Sequence, residues 1–183
     1  MMAEKTKSPK GVPSEEGKNI MRTIKIEKIV LSVGATGDEL VKGVKLLKVL
    51  SGKKAAKMRS RKRIPAWGVR PGLEIGAVVT IRKGIEEILK KMLAAIDNQL
   101  RRKQISTNNF SFGIKEYLEI PGMEYQRDIG IMGLDVTVVF KRSGRRVKLK
   151  KVKKSKFSKR QKITKEEIIK FMEEKFGIEF IGK

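Results

Sequence analysis

The chain has no cysteine and no histidine among its 183 residues. Without cysteine there can be no disulfide and no thiolate metal site. Without histidine the commonest general base and the commonest transition-metal ligand are missing. Catalysis by Asp, Glu or Lys stays open, so these absences lower the case for an enzyme without closing it. Aromatic residues are scarce, with one Trp, two Tyr and seven Phe, too few for a sheet that stacks bases on several rings. No apolar run approaches the ~18 to 20 residues that span a bilayer, and the N-terminus has no apolar stretch of the secretory kind. A soluble intracellular protein with no membrane partner is therefore expected. Acid is absent from two particular places. Residues 141–163 carry thirteen Lys or Arg and no Asp or Glu, and residues 53–70 carry eight more, again without acid. Together they supply +21 of the net +24, which leaves the other 142 residues almost neutral. Basicity placed in blocks points to a polyanion, with nucleic acid as the first candidate.

Residues 1–18 mix Lys, Glu, Ser, Pro and Gly with almost nothing to bury, the composition of a disordered tail. Residues 24–33 (IKIEKIVLSV) form the first expected strand, with Ile29, Leu31 and Val33 on one side and Lys28, Val30 and Ser32 on the other. A helix is expected over 38–50, with Leu40, Val44, Leu47 and Leu50 inward and Lys42, Lys45 and Lys48 outward. The basic stretch 53–71 suits a short strand or an extended loop. Residues 75–83 (IGAVVTIRK) are a strand whose second face is Gly76, Val78, Thr80 and Arg82. From Gly84 to about Lys103, apolar residues recur at helical spacing, with Glu86 and Glu87 in the first turn and Arg101, Arg102 and Lys103 in the last. Strands follow over 110–120, interrupted at Gly113, and over 134–140. Thr164 and Glu167 have capping-box spacing ahead of a short helix that ends at Gly177.

This order predicts an α+β fold, an antiparallel sheet with its long helices on one face. The domain plan is a tail (1–18), an α+β domain (19–140), and a basic extension with a terminal helix (141–183). The sheet's free face would then carry Lys28, Ser32, Thr80 and Arg82. Hydroxyls and cations on an open face suit phosphates and 2′-hydroxyls.

Other chemistries have weaker support. Gly34 to Gly37 lies between strand and helix but lacks the spacing of a phosphate loop, so a glycine turn is the better account. Glu116, Glu119, Glu124, Asp128 and Asp135 form the only acidic cluster outside the helices, and a two-carboxylate metal-dependent nuclease would have to draw on them. A nucleic-acid chaperone without a fixed partner is the other rival. In the second basic block, Val147, Leu149, Val152 and Phe157 interrupt the cations, and a capped helix follows. That favours phosphate contact over a solubilising tail, through Arg145, Arg146, Lys148, Lys150, Lys151, Lys153 and Lys154.

Five segments in order, IEKIVLSVGATGDE (26–39), LLKVLSGKKA (46–55), GVRPGLEIGAVVTIRKG (68–84), NNFSFGIKEYLEIPG (108–122) and IGIMGLDVTVVFKRSG (129–144), resemble the family of universal large-subunit ribosomal protein five. The extension ending in ITKEEIIKFMEEKFGIEF resembles its archaeal and eukaryotic branch. The resemblance implies an α+β fold and a non-enzymatic role in the large ribosomal subunit, in the cytoplasm. It implies attachment of 5S rRNA to 23S rRNA in the central protuberance beside other ribosomal proteins. It also implies a bridge to small-subunit head protein thirteen and contact with P-site tRNA. No cofactor, metal or small-molecule substrate is implied. Carried over by position, the family's 5S contacts fall on Ser32, Lys53, Thr80 and Arg82, and the alternation of the first strand adds Lys28. The family commonly has Asn at the position of Ser32 and Gln at that of Lys53. The tRNA-contacting loop maps onto 57–64, with Lys57, Arg59, Arg61, Lys62 and Arg63.

Overall fold

A computed structural model describes residues 20–156, 158 and 161–182. The expected N-terminal tail and Phe157 lie outside them. Strand β1 (Lys25–Gly34) is the hub of the fold. It pairs antiparallel with β3 (Glu74–Ile81) on one side and β7 (Leu134–Lys141) on the other. β2 (Ala56–Arg59) extends the sheet beyond β3, and β6 (Asn109–Ile114) and β5 (Ile105–Ser106) extend it beyond β7. The strand order is β2-β3-β1-β7-β6-β5. The fold is α+β, as the alternation and helical periodicity predict.

One sheet face is packed and the other is not. Ile29, Leu31 and Val33 of β1, Ala77, Val79 and Ile81 of β3, and Val136, Val138 and Phe140 of β7 are all buried. Against them pack Leu40, Leu46 and Leu47 of α1 (Asp38–Ser51) and Leu89, Met92 and Leu93 of α2 (Ile85–Ala94). α4 (Lys165–Phe176) adds Ile168 and Met172 to the same core. The helix after the basic block is thus built into the main core. At about 25 cal/mol per Å² of apolar surface, such burial is the main force closing the layer. The α4 start is a full capping box. Thr164 Oγ1 accepts from the Glu167 N–H at 3.4 Å, and Glu167 Oε2 accepts from the Thr164 N–H at 3.0 Å. Gly177 closes the helix in the left-handed region at φ 62°, where a side chain is strained.

Two expected elements end early. The helix from Gly84 stops at Ala94, not Lys103, because Asp97 and Asn98 turn into the left-handed region at φ 53° and 56°. Asp and Asn tolerate that conformation better than most side chains. Leu100 keeps the helical spacing but is buried from a strand, β4 (Gln99–Arg101), which pairs in parallel with β8 (Glu179–Ile181). Arg101, Arg102 and Lys103 therefore do not sit at the C-terminus of α2. The strand from Phe110 stops at Ile114, not Ile120. Gly133 approaches so closely that a Cβ there would lie 2.7 Å from the Lys115 carbonyl oxygen. The chain turns away into a 3-10 turn at Tyr117–Glu119, where Tyr117 is buried and its hydroxyl accepts from the Gln126 N–H at 3.0 Å. Gly113 does not interrupt β6; it pairs with Asp135 inside the ladder.

Candidate nucleic-acid interface

The uncovered face of the sheet can be read row by row from the register. Ser32 lies between Val78 of β3 and Asp135 of β7, and Asp135 pairs on with Gly113. The next row runs Thr80, Val30, Thr137, Ser111, and the next pairs Lys28 with Val139 and then Asn109. None of Val30, Val78 and Val139 joins the core. The face is thus a shallow platform of hydroxyls and small apolar groups with one acid, Asp135, at the Ser32 end.

Lys28, Ser32 and Thr80 are brought together on this platform, each half-buried. Arg82 is exposed and lies one residue past the end of β3, at the rim beyond Thr80. Lys53 is off the sheet. It follows Gly52, which ends α1 at φ 63°, and its N–H donates to Ser51 Oγ at 3.2 Å. β2 runs antiparallel to β3 from the Ala56–Val78 pair, so the chain leading into it comes from the Thr80–Arg82 end. Lys28, Arg82 and Lys53 mark that end, and Ser32 marks the other. Thr137 and Ser111 complete the hydroxyl row. Alternation within β7 and β6 points to them by the same rule that picks Ser32 and Thr80, yet they are absent from the candidate residues.

The basic segment 57–64 divides in two. Lys57 and Arg59 belong to β2, where Glu74 of β3 faces them at 2.8 Å and 3.7 Å. The hydrogen bond from Lys57 holds the Glu74 carboxyl below its ordinary range, with Arg59 adding to the effect. Arg61, Lys62 and Arg63 lie beyond the strand, exposed, and make no ion pair among the described residues. The loop they start is well tied. The Ser60 N–H donates to the Leu73 carbonyl at 2.8 Å, and Ile64 and Val69 exchange two backbone bonds at 2.9 Å and 3.1 Å. Its tip is a 3-10 turn at Pro65–Trp67, closed by Gly68 at φ 62°. Trp67, the chain's single Trp, is 78% exposed there. A scarcity of aromatics in the composition gives no hint of this residue's position.

The second basic block is ordered over its described part. Arg145 pairs with Glu27, the extra residue of a β-bulge in β1, and bulges commonly redirect a side chain in this way. Arg142 pairs with Glu167 of α4 at 2.7 Å. A single helical turn, α3 (Arg146–Leu149), follows, and the Ser155 N–H returns to the Val147 carbonyl at 3.4 Å. Of the seven candidate phosphate contacts, Arg145 is committed to an acid. Arg146, Lys148, Lys150, Lys151, Lys153 and Lys154 are exposed. Among the described residues, no cluster of three or more potential ligands is placed to hold a metal ion. No helix among the described residues is long and apolar enough to cross a membrane.

Two family models match consecutive parts of the chain. The model described as ribosomal protein L5 matches residues 19–70, and the model for the C-terminus of the same ribosomal family matches residues 74–171. Among similar proteins, the large ribosomal subunit protein uL5 of Nanoarchaeum equitans is 40% identical, covering 88% of this chain and 98% of that one. The uL5 of Pyrobaculum aerophilum is 39% identical over 87% of this chain and 91% of its own length. That of Sulfolobus acidocaldarius is 38% identical over 87% and 92%. With both halves matched in order on an α+β sheet that carries its charge outside the core, the chain belongs to the ribosomal protein L5 family in its archaeal form, and is a structural, non-enzymatic ribosomal protein.

Proposed function

We propose that the chain is a constituent of the large ribosomal subunit in the cytoplasm, and that it docks 5S rRNA on the uncovered sheet face and attaches it to 23S rRNA in the central protuberance. The observation that carries this is the juxtaposition of Lys28, Ser32 and Thr80 on one unburied face, with Arg82 and Lys53 at its rim. A shallow face with hydroxyls offers donors and acceptors to 2′-hydroxyls, and rim cations hold phosphates without burying them. Ser32 is shorter than the Asn usual in the family, so the neighbouring Thr137 and Ser111 hydroxyls share its work. Lys53 in place of Gln trades an amide acceptor for charge. The exposed cations of residues 145–154 add phosphate contacts that raise affinity without choosing sequence.

The partner is tested by gel shift with the full-length protein at ~0.15 M salt. A 5S transcript should bind more tightly than an unrelated hairpin RNA. Equal binding would sink the assignment and favour a general nucleic-acid chaperone. Arg82→Ala should weaken 5S binding by ~1.5 to 3 kcal/mol if it makes a charge-assisted hydrogen bond. An unchanged affinity would remove it from the site.

The loop from Ser60 to Leu73 serves a different partner, the elbow of P-site tRNA. Arg61, Lys62 and Arg63 supply charge that Glu74 does not offset, whereas Lys57 and Arg59 anchor the loop base. Replacing Arg61, Lys62 and Arg63 together by Gln should leave 5S binding nearly intact and weaken P-site tRNA retention on ribosomes carrying the variant. Loss of 5S binding in that variant would refute the division. The bridge to small-subunit head protein thirteen and contacts with neighbouring ribosomal proteins complete the proposal on family membership alone.

A further inference from the structure

The second basic block does more than add charge to the surface. Where it leaves β7 it folds back on itself and encloses a cleft of about 590 Å³. Five lysines, Lys141, Lys148, Lys154, Lys156 and Lys162, line it, and none of them makes an ion pair among the described residues. Arg142 and Arg145 also reach it, but these two are engaged by Glu167 and Glu27. No carboxylate among the described residues lines the cleft. The acids thus fix the two arginines, whose planar heads suit structural pairing, and leave the lysines, which act as mobile point charges.

The walls are held by bonds unrelated to the lysines. Asn108, in the turn between β5 and β6, accepts the Ile163 N–H on its side-chain oxygen at 2.8 Å and returns its own N–H to the Ile163 carbonyl at 3.3 Å. The Asn108 carbonyl also accepts the Phe140 N–H at 2.8 Å. Ile163 is fully buried. The far end of the block is thereby fastened to the sheet, and the five lysines that line the cleft are gathered rather than spread. Gathering like charges costs free energy unless an anion occupies the space.

We infer that this cleft is a discrete binding site for a bend of RNA phosphodiester backbone, held by Lys148, Lys154 and Lys156 with Lys141 and Lys162 at its base. The inference rests on the RNA-binding role proposed above and makes it specific. Lys150, Lys151 and Lys153 belong to the same block but do not line the cleft, so they contribute only diffuse attraction.

Two triple variants of the full-length chain test this at equal charge. Lys148→Gln, Lys154→Gln and Lys156→Gln empty the cleft, and Lys150→Gln, Lys151→Gln and Lys153→Gln spare it. With a 5S transcript, the cleft triple should lose roughly a hundredfold in affinity and about two units of salt slope. The sparing triple should lose roughly fivefold or less. Lysine acetylation footprints read by mass spectrometry should show Lys148, Lys154 and Lys156 protected by RNA and Lys150, Lys151 and Lys153 still reactive. Equal losses and equal protection would overturn the cleft and leave a block of diffuse charge. Displacement of the RNA by polyglutamate at equal charge concentration would overturn the assignment to phosphodiester. If the wild type prefers 5S no more than a hairpin RNA, the partner is wrong. The contrast between the triples still judges the cleft on either RNA.

Discussion

Raising monovalent salt from ~50 to ~200 mM lowers the affinity of the full-length chain for 5S rRNA by about 10³- to 10⁵-fold, as expected for roughly six to ten neutralised phosphates. The contacts available make that range concrete. Lys28, Lys53 and Arg82 edge the sheet face, and the cleft lysines add up to five more. Lys57, Arg59, Arg142 and Arg145 are discounted, because each already faces a carboxylate. The +21 carried by the two blocks thus overstates the charge they can offer to phosphate, because the ion pairs bring the effective number down. A plot of log affinity against log salt should have a slope of roughly −5 to −9. A slope shallower than about −2 would mean that most of these cations never meet phosphate. The sheet-face hydroxyls should be nearly indifferent to salt, so the preference for 5S over a hairpin should persist while both affinities fall.

Much of this arrangement is legible without coordinates. The alternation in 24–33 and 75–83 separates Ile29, Leu31, Val79 and Ile81 from Lys28, Ser32 and Thr80, and the structure keeps that division. The capping box at Thr164 and Glu167 marks the start of α4 because its signal is local: two side chains and two backbone donors within one turn. Elements that depend on distant partners are the ones misjudged. Leu100 fits a helical period, yet its place is set by pairing with Phe180, and Asp97 and Asn98 supply the turn that makes this available. The end of β6 is set by Gly133, far along the chain from it. The cleft depends on Asn108 meeting Ile163, and no count of lysines reveals that. Composition locates the charge, but only tertiary contacts show which cations the acids have already taken.

Glu167→Ala should be the most destabilising surface substitution among those that touch the basic block, at about 3 kcal/mol. Glu167 does two jobs. It closes the capping box on the Thr164 N–H, and it accepts from Arg142 at 2.7 Å. Loss of a cap is worth about 1 kcal/mol, and a hydrogen bond to a charged group about 1.5 to 3 kcal/mol. The Glu167 side chain is 39% exposed, which keeps the ion-pair part near the lower end, while that of Arg142 is only 9% exposed. Burial pushes the Glu167 carboxyl up, but the Thr164 N–H and the Arg142 guanidinium outweigh it and hold it below the usual 4.5. A folded value below the unfolded one means that the contribution is complete above the unfolded value and is lost as pH falls through the folded one. Urea melts should therefore show the wild-type advantage over Glu167→Gln at neutral pH and its disappearance in acid below about 4.5. Glu166→Ala, on the same first turn but with no partner of this kind among the described residues, should cost no more than about 1 kcal/mol through the helix dipole. Because Arg142 reaches the cleft, and α4 begins just after Ile163, which Asn108 fastens at the far end of the block, Glu167→Ala should also weaken RNA binding more than Glu166→Ala at equal loss of negative charge. Equal stability and equal binding of the two variants would show that the tie between α4 and the basic block carries neither.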